Sequence, residues 1–471
     1  MKRYNNNIYI ALLLTLVAGA CKVSKDIPKP TNAAPEQFRN STATDSLSIA
    51  SLPYKEFFKE KAIRDLIDTA VINNYDIQIA VKNIESASLV FKQAKLGNVP
   101  SVNLQVNANT NRFSDNSLNG LSLAQYSTAK HIEDYNATVG LSWEADIWNK
   151  IGNQRREAGA AFLQSAEAKK AVQTRLVANV AEGFYNLIML DTQLDIAKRN
   201  LSLNDSTLTI IKLQFDAGQV TSLAIQQAEA QELVAAGLVP QLEQMIGLQE
   251  DALSILTGAF PKTIARAGLL GAMQDQNNLS TGFPAAMVSL RPDVKSAELE
   301  LVKANAKVGI AKAGLYPSFV ISATGGVDSY MFKNWFNIPG SLFGMVAGGL
   351  TQPIFQHKEM RTQYELALVD RDKAVIQFKQ SVLKAVGDVS DQLVKIEKLK
   401  QQYTIADTRV GVVKLGLSNA NLLFKSGMAN YLEVITAQSN ALQSELDLAT
   451  IKTDQLNAEV ELYRALGGGW K

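Results

Sequence analysis

The chain carries one pattern twice. Asp76, Ala80, Ala87, Ala94, Lys95, Gly97, Pro100 and Ser101 recur in order as Asp293, Ala297, Ala304, Ala311, Lys312, Gly314, Pro317 and Ser318, a constant separation of 217 positions (76 to 293). Farther on, Phe215-Asp216-Ala217-Gly218 is answered 209 positions later by Phe424-Lys425-Ser426-Gly427, and Leu223, Ala228 and Leu233 by Leu432, Ala437 and Leu442. A duplication of about 210 residues constrains the fold more than any single motif, because both copies must adopt one structure. The first copy occupies residues 61–270 and the second 271–471.

Within each copy the pattern predicts helix, strand, strand, very long helix, helix. Ala80, Ala87 and Ala94 lie one heptad apart in a helix over 63–96, and Ala297, Ala304 and Ala311 repeat that spacing, the period of a seam that packs against a neighbouring helix. Pro100 and Pro317 end these helices, since the residue before proline is pushed toward extended geometry. From Val102 to Asn109 apolar and polar residues alternate without a fault. From Ala137 to Ile147, Ala137, Val139, Leu141, Trp143, Ala145 and Ile147 share one face. The opposite face carries Asn103, Gln105 and Asn107 from the first strand and Glu144 and Asp146 from the second. One oily and one wet face suit either a soluble sheet on its core or a membrane barrel with lipid outside and a lumen inside. A third strand over 319–327 alternates less cleanly, and the fourth, 342–354, mixes Gly348, Gly349 and apolar residues on both faces, so its phase stays open. Loops over 114–133 and 332–341 join the strands, and Trp143, Trp148, Trp335 and Phe336 suit bilayer interfaces, core packing being the blander role for each. Proline-free runs follow over 151–215 and 357–424, each roughly 100 Å long as continuous helix.

Composition removes most chemistry. Lys+Arg 47 against Asp+Glu 45 leaves a net charge of +2, with no basic surplus for nucleic acid. Two histidines (His131, His357) and one cysteine (Cys21) cannot build a His/Cys metal site, a disulfide framework or a Cys/His catalytic pair. The sequence contains no HExxH, P-loop, GxSxG or CxxC motif, so neither catalysis nor a cofactor is expected.

The N-terminus reads as an export signal over residues 1–20. Lys2 and Arg3 are followed by an apolar stretch from Ile8 that ends in small residues at Ala18-Gly19-Ala20. That stretch is too short to span a bilayer as a mature helix. The sole cysteine, Cys21, stands directly after the cleavage site, an arrangement that resembles a bacterial lipobox, in which this cysteine becomes the lipidated first residue; the alternative is a plain signal peptide beside an unpaired Cys. Residues 21–60, with Pro28, Pro30 and Pro35, then read as a lipid-anchored tether.

Four strands per chain cannot close a barrel, and open edges in lipid leave backbone groups unpaired at several kcal/mol each, so other chains must complete the sheet. Two chains give eight strands, an interior about filled by side chains, whereas three give twelve and leave room for a solute.

Three segments carry a family resemblance. Leu290 to Phe319 (LRPDVKSAELELVKANAKVGIAKAGLYPSF), Ser142 to Ile151 (SWEADIWNKI) and Leu466 to Trp470 (LGGGW) resemble the outer membrane efflux protein family, the TolC-like channels, in its lipoprotein branch. The resemblance spans nearly all of the chain after Cys21. It implies a mixed α and β membrane protein: a trimeric twelve-strand outer membrane β-barrel, four strands per chain, continued by a long periplasmic α-helical barrel. It further implies a homotrimer lodged in outer membrane lipid, lipid-anchored with a large periplasmic extension, and docked by a periplasmic adaptor and an inner membrane RND-type pump. Channels of this family tend to place acidic residues just beyond the glycine where the long helices turn back. Here Glu433 stands at one such position and Thr436 at the next, while Ala224 and Gln227 occupy the equivalents in the first copy; these four are the periplasmic gate candidates. The competing readings are a lipid-anchored coiled-coil scaffold, an exported enzyme, and an exit channel of the same type serving protein secretion; the first two leave the duplicated strands unexplained.

The anchor is directly testable. Cys21→Ser should abolish metabolic labelling with palmitate and slow delivery to the outer membrane, and mass spectrometry of the mature protein's N-terminal peptide should place its first residue at Cys21; a different mature N-terminus would remove the lipobox.

Overall fold

The computed structural model describes residues 35, 38, 48–126, 131–266, 270, 281 and 290–471. The signal stretch, Cys21 and most of the expected tether lie outside the described residues. The chain divides into two compact units, one holding 86–163 and 299–376 and the other holding 30–85, 164–298 and 377–471.

The first unit is organised by an antiparallel meander: β1 (Ser101–Asn111), β2 (Ile132–Glu144), β3 (Ser318–Ser329) and β4 (Leu342–Thr351), in that spatial order. Directly opposed residues of neighbouring strands share a face. One set of rows runs Val102, Leu141, Ala323, Val346 and Leu104, Val139, Gly325, Gly344; the alternate set runs Asn103, Gly140, Thr324, Met345 and Gln105, Thr138, Gly326, Phe343. Register therefore supplies what periodicity could not. In β4, Leu342, Gly344, Val346, Gly348 and Leu350 belong to the apolar rows, and Phe343, Met345, Ala347 and Gly349 to the other face. The link between β1 and β2 contains a short helix, Leu118–Tyr126, where the sequence reads only as loop.

Short elbows join the strands to the helices. Helix over 63–96 was the expectation, but the structure has two helices, Lys61–Asn73 and Tyr75–Lys95. Asn74 breaks them: it leaves helical geometry, its Oδ1 accepts from the Asp76 backbone N–H at 2.9 Å, and its Nδ2 donates to the Leu256 carbonyl at 3.0 Å. An Asx cap that also binds a distant carbonyl outweighs helix continuity. The two long runs do form unbroken helices, Lys150–Asp216 and Glu359–Lys425, of 67 residues each. They return as Ser222–Leu256 and Tyr431–Ala465, while Pro292–Gly314 opens the second copy. Numbered in chain order, the helices are α1 (Tyr54–Phe57), α2 (Lys61–Asn73), α3 (Tyr75–Lys95), α4 (Leu118–Tyr126), α5 (Lys150–Asp216), α6 (Ser222–Leu256), α7 (Pro292–Gly314), α8 (Glu359–Lys425) and α9 (Tyr431–Ala465). Among the described residues no helix is long and apolar enough to cross a membrane.

In the second unit the main core gathers Phe184, Ile188, Val382, Val389, Leu462 and Tyr463. The expected tether does not extend to residue 60. Tyr54, Phe57 and Phe58 are buried, Phe57 stacks on Tyr463 at 4.1 Å between centroids, and the Tyr463 hydroxyl donates to the Leu52 carbonyl at 2.7 Å. Burying three aromatic rings is worth several kcal/mol, enough to fold the segment onto the core.

Arg291, only 5 % exposed, ties the start of the second copy to the end of the chain. Its guanidinium donates to Asp293, to Asp388 Oδ2 at 2.9 Å, and to the Ala465 carbonyl at 2.9 Å. Just beyond, a side chain at Gly468 would place its Cβ 2.3 Å from the Tyr463 ring, so the close approach there requires glycine. Nearby, burial first and the Glu461 carboxylate second push the Glu182 carboxyl up to about 7, while Arg464 and Lys395 pull it down; burial raises Glu461 as well, but Arg464 outweighs it and holds that group below the usual range.

Arg291→Ala would leave Asp388 and the Ala465 carbonyl without their buried donor. It should cost about 3 to 5 kcal/mol of stability, read as a clear drop in the thermal midpoint in detergent, whereas Arg361→Ala, which removes only an exposed pair with Glu365, should move it little.

Candidate functional site

The two hairpin tips, where α5 turns into α6 and α8 into α9, are built alike. Gly218 and Gly427 adopt φ of 71° and 73°. Each follows a helix end whose carbonyls are closed by the next two N–H groups: Gly218 to Phe215 and Gln219 to Gln214 at 2.8 Å, Gly427 to Phe424 at 3.0 Å and Met428 to Leu423 at 2.8 Å. This is a Schellman end, and its left-handed residue explains the glycine in both FDAG and FKSG.

Between the tips lies a small apolar cluster of Leu208, Ile211, Ala224, Ala228, Phe424 and Val434. The tips are also joined by the Tyr431 hydroxyl, which donates to Gln227 Oε1 at 2.6 Å, and by Gln438, buried, whose Nε2 donates to Thr207 Oγ1 at 2.9 Å. Tyr431 and Gln438 escaped the sequence reading because their partners lie more than 200 positions away in the chain.

The four gate candidates therefore differ in kind. Glu433 and Thr436 are exposed. Glu433 is also part of a capping arrangement: Asn430 caps α9, its Oδ1 accepting from the Glu433 N–H at 3.2 Å and its Nδ2 donating to Glu433 Oε1 at 3.3 Å. The Asn430-x-x-Glu433 spacing was a readable signal for this role. Gln227 is exposed and engaged by Tyr431. Ala224 departs from the expectation: it is 1 % exposed, packed with Leu208 and Ile211, and cannot line a passage. The reason is helical phase. The first copy buries Ala224 and Ala228, but the second buries Val434 and Gln438, one residue out of step with the sequence offset of 209, and that turn swings Glu433 outward.

Of the strand residues, Asn103, Gln105 and Asn107 lie in the polar rows of β1, and Asn107 Nδ2 donates to Asn136 Oδ1 at 3.2 Å. Glu144 ends β2 and pairs with Lys150 at 3.0 Å. Asp146 is not a strand residue. Its carboxylate accepts from the Ile151 and Gly152 N–H groups at 3.0 and 2.9 Å, capping α5, where a negative charge at a helix N-terminus is favoured. The elbow around it is fixed by Trp148, which donates Nε1–H to the Pro317 carbonyl at 2.7 Å and stacks on Tyr316 at 4.7 Å.

Known proteins share this arrangement. A solved membrane protein from Pseudomonas aeruginosa matches with a TM-score of 0.86 at 24 % identity, covering 95 % of this chain and 100 % of that one. The open state of the Neisseria gonorrhoeae MtrE outer membrane channel matches with a TM-score of 0.85 at 22 % identity, covering 96 % and 99 %. By sequence, the chain is 29 % identical to the solvent efflux pump outer membrane protein SrpC of Pseudomonas putida and 24 % identical to the probable outer membrane lipoprotein SilC of Salmonella typhimurium, covering 98 % and 97 % of both partners respectively. The profile described as outer membrane efflux protein matches residues 66–259 and 285–468, one match in each copy of the duplication. With its fold, its repeat and its full-length relatives in agreement, the chain belongs to the outer membrane efflux protein family.

Proposed function

We propose that this protein is the outer membrane exit duct of a tripartite efflux system, working as a homotrimer with a periplasmic adaptor and an inner membrane RND-type pump. The observation that carries the reading is a four-strand sheet with alternating apolar and polar rows and two strands, β1 and β4, each paired on one side only. Three such sheets make a twelve-strand barrel with a lumen; lipid meets Val102, Leu104 and Val106, and the passage meets Asn103, Gln105 and Asn107. α5, α6, α8 and α9 of three chains supply the twelve helices of the periplasmic α-barrel. A lipid on Cys21 adds an anchor, in keeping with a relative named as a lipoprotein. The reaction is passage, and no residue is assigned to catalysis.

Glu433 is the charge at the tip. Three of its carboxylates in a narrow constriction set cation preference, as acidic rings do in other pores. Thr436 follows one turn later on α9, and Gln227 holds the neighbouring tip through Tyr431.

Mass measurement in mild detergent should give a trimer that conducts in planar bilayers; a folded, stable monomer would overturn the duct. In the same recordings Glu433→Gln, which keeps a capping side chain, should reduce cation preference and weaken block by multivalent cations with trimer stability nearly unchanged. Glu433→Lys should turn the preference toward anions. Selectivity identical to the parent in both variants would take Glu433 out of the conducting path.

A further inference from the structure

The duplication allows the contact between copies to be read from a contact inside one chain. Within the sheet, β2 of the first repeat pairs with β3 of the second, with Glu144 opposite Val320 and Leu141 opposite Ala323. The ladder continues past the strand end, where the Ala145 N–H donates to the Phe319 carbonyl at 3.0 Å, and is locked by Trp148 on Tyr316 and Pro317. β4 is the repeat of β2, and β1 is the repeat of β3. In one chain these two strands lie at opposite edges of the sheet, so the repeat of the β2:β3 contact can form only between copies.

The equivalences are fixed by the chain. Ser318, the first residue of β3, corresponds to Ser101, the first of β1, at 217 positions. β2 ends at Glu144 and β4 at Thr351, 207 positions later, and Ile147-Trp148 recurs at the same offset as Ile354-Phe355. The long helices begin at Lys150 and Glu359, 209 positions apart, so the second elbow is longer by two residues; His357 and Lys358 both take positive φ there, where the first elbow has only Asn149.

Resting on the reading that copies assemble, we propose that β4 of one copy pairs antiparallel with β1 of the next with Thr351 opposite Asn103, and that Phe355 seats on Val99 and Pro100 of that neighbour as Trp148 seats on Tyr316 and Pro317. The groups this contact needs are open in the single chain. Ile354 is 96 % exposed, Phe355 76 % and Val99 59 %, although none is polar. The register also keeps the faces in phase: Leu350 meets Leu104, Gly348 meets Val106 and Val346 meets Ala108, while Gly349 meets Gln105 and Ala347 meets Asn107. A shift of one residue would reverse every one of these. Closure geometry agrees. Leu104 lies opposite Val139, Val139 opposite Gly325, and Gly325 opposite Gly344; in this register Gly344 meets Thr110 of the next copy, six positions beyond the start. That stagger, roughly 20 Å across four strand spacings of about 4.8 Å, tilts the strands by about 45°, at the upper end of the usual range. Pairing Thr351 with Gln105 would carry the tilt beyond about 50°, and pairing it with Ser101 would put the two elbows out of step.

Disulfides test the register, because directly opposed residues fall within bonding range and diagonal ones, at about 7 to 8 Å, do not. Thr351→Cys with Asn103→Cys, and separately Gly349→Cys with Gln105→Cys, should give covalent dimers and trimers on non-reducing gels that vanish on reduction and are missing from each single variant and from the parent. Thr351→Cys with Gln105→Cys, or with Ser101→Cys, should not. Cross-linking by either shifted pair in place of the first two overturns the register while leaving assembly intact. A trimer by mass with no cross-link in any pair overturns the edge pairing, and a folded monomer overturns pairing and assembly together. For the elbow, Phe355→Ala should lower the temperature at which the trimer dissociates and Phe355→Trp, the residue of the first repeat, should restore it; equal behaviour of both variants and the parent overturns the seat on Val99.

Discussion

The sheet depends on where the backbone N–H and C=O groups of its two strand edges go. Inside the sheet the strand pairs are satisfied by register, but among the described residues β1 and β4 each pair on one side only. In hydrocarbon each such group costs several kcal/mol, and no side-chain chemistry can offset a full edge. On the proposed reading, the edge demand sets the assembly, the assembly sets the strand number, and the strand number sets whether there is a passage at all. The long helices answer a different demand, because each strand hairpin is followed in sequence by a rod of 67 residues rather than by a compact cap.

The segments most distinctive in sequence turn out to be joints. Arg291 binds Asp388 and the Ala465 carbonyl, Gly468 admits the Tyr463 ring, Trp148 locks an elbow on Pro317, and Asp146 caps α5. Each holds a place where the path of the backbone changes direction. In this member of the outer membrane efflux protein family such corners set the path of the backbone between its elements.

Much of this was legible in the sequence, and what was not has a common cause. The duplication, the phases of β1 and β2 and the two rods follow from periodicity, which is local. The phase of β4 does not, because Gly348 and Gly349 have no side chain to reveal a face, and only pairing with β3 assigns them. The break at Asn74 depends on the Leu256 carbonyl, 182 positions away, and the folding of Tyr54 to Phe58 depends on Tyr463. Ala224 failed as a gate candidate for the same reason: equal sequence position fixed its place along α6 but not the turn of that helix against Leu208 and Ile211.

The tips show how closure and charge divide the work. Per chain, the Tyr431–Gln227 and Gln438–Thr207 hydrogen bonds are each worth about 0.5 to 1.5 kcal/mol net, because water takes up the freed groups once the hairpins part. The apolar cluster beneath adds Phe424 and Val434, which lose contact with Leu208 and Ile211 when the second hairpin moves away from the first. In the proposed trimer, three Glu433 carboxylates meeting in a wet constriction would repel by about a kcal/mol. Summed over three chains, these contacts exceed that repulsion, so on the proposed reading a change in charge alone does not open the tip. On the proposed reading, a partner that opens the tip would have to supply contacts to the parted hairpins that replace those two hydrogen bonds and that buried surface, a demand the proposed adaptor would meet by binding at the tips.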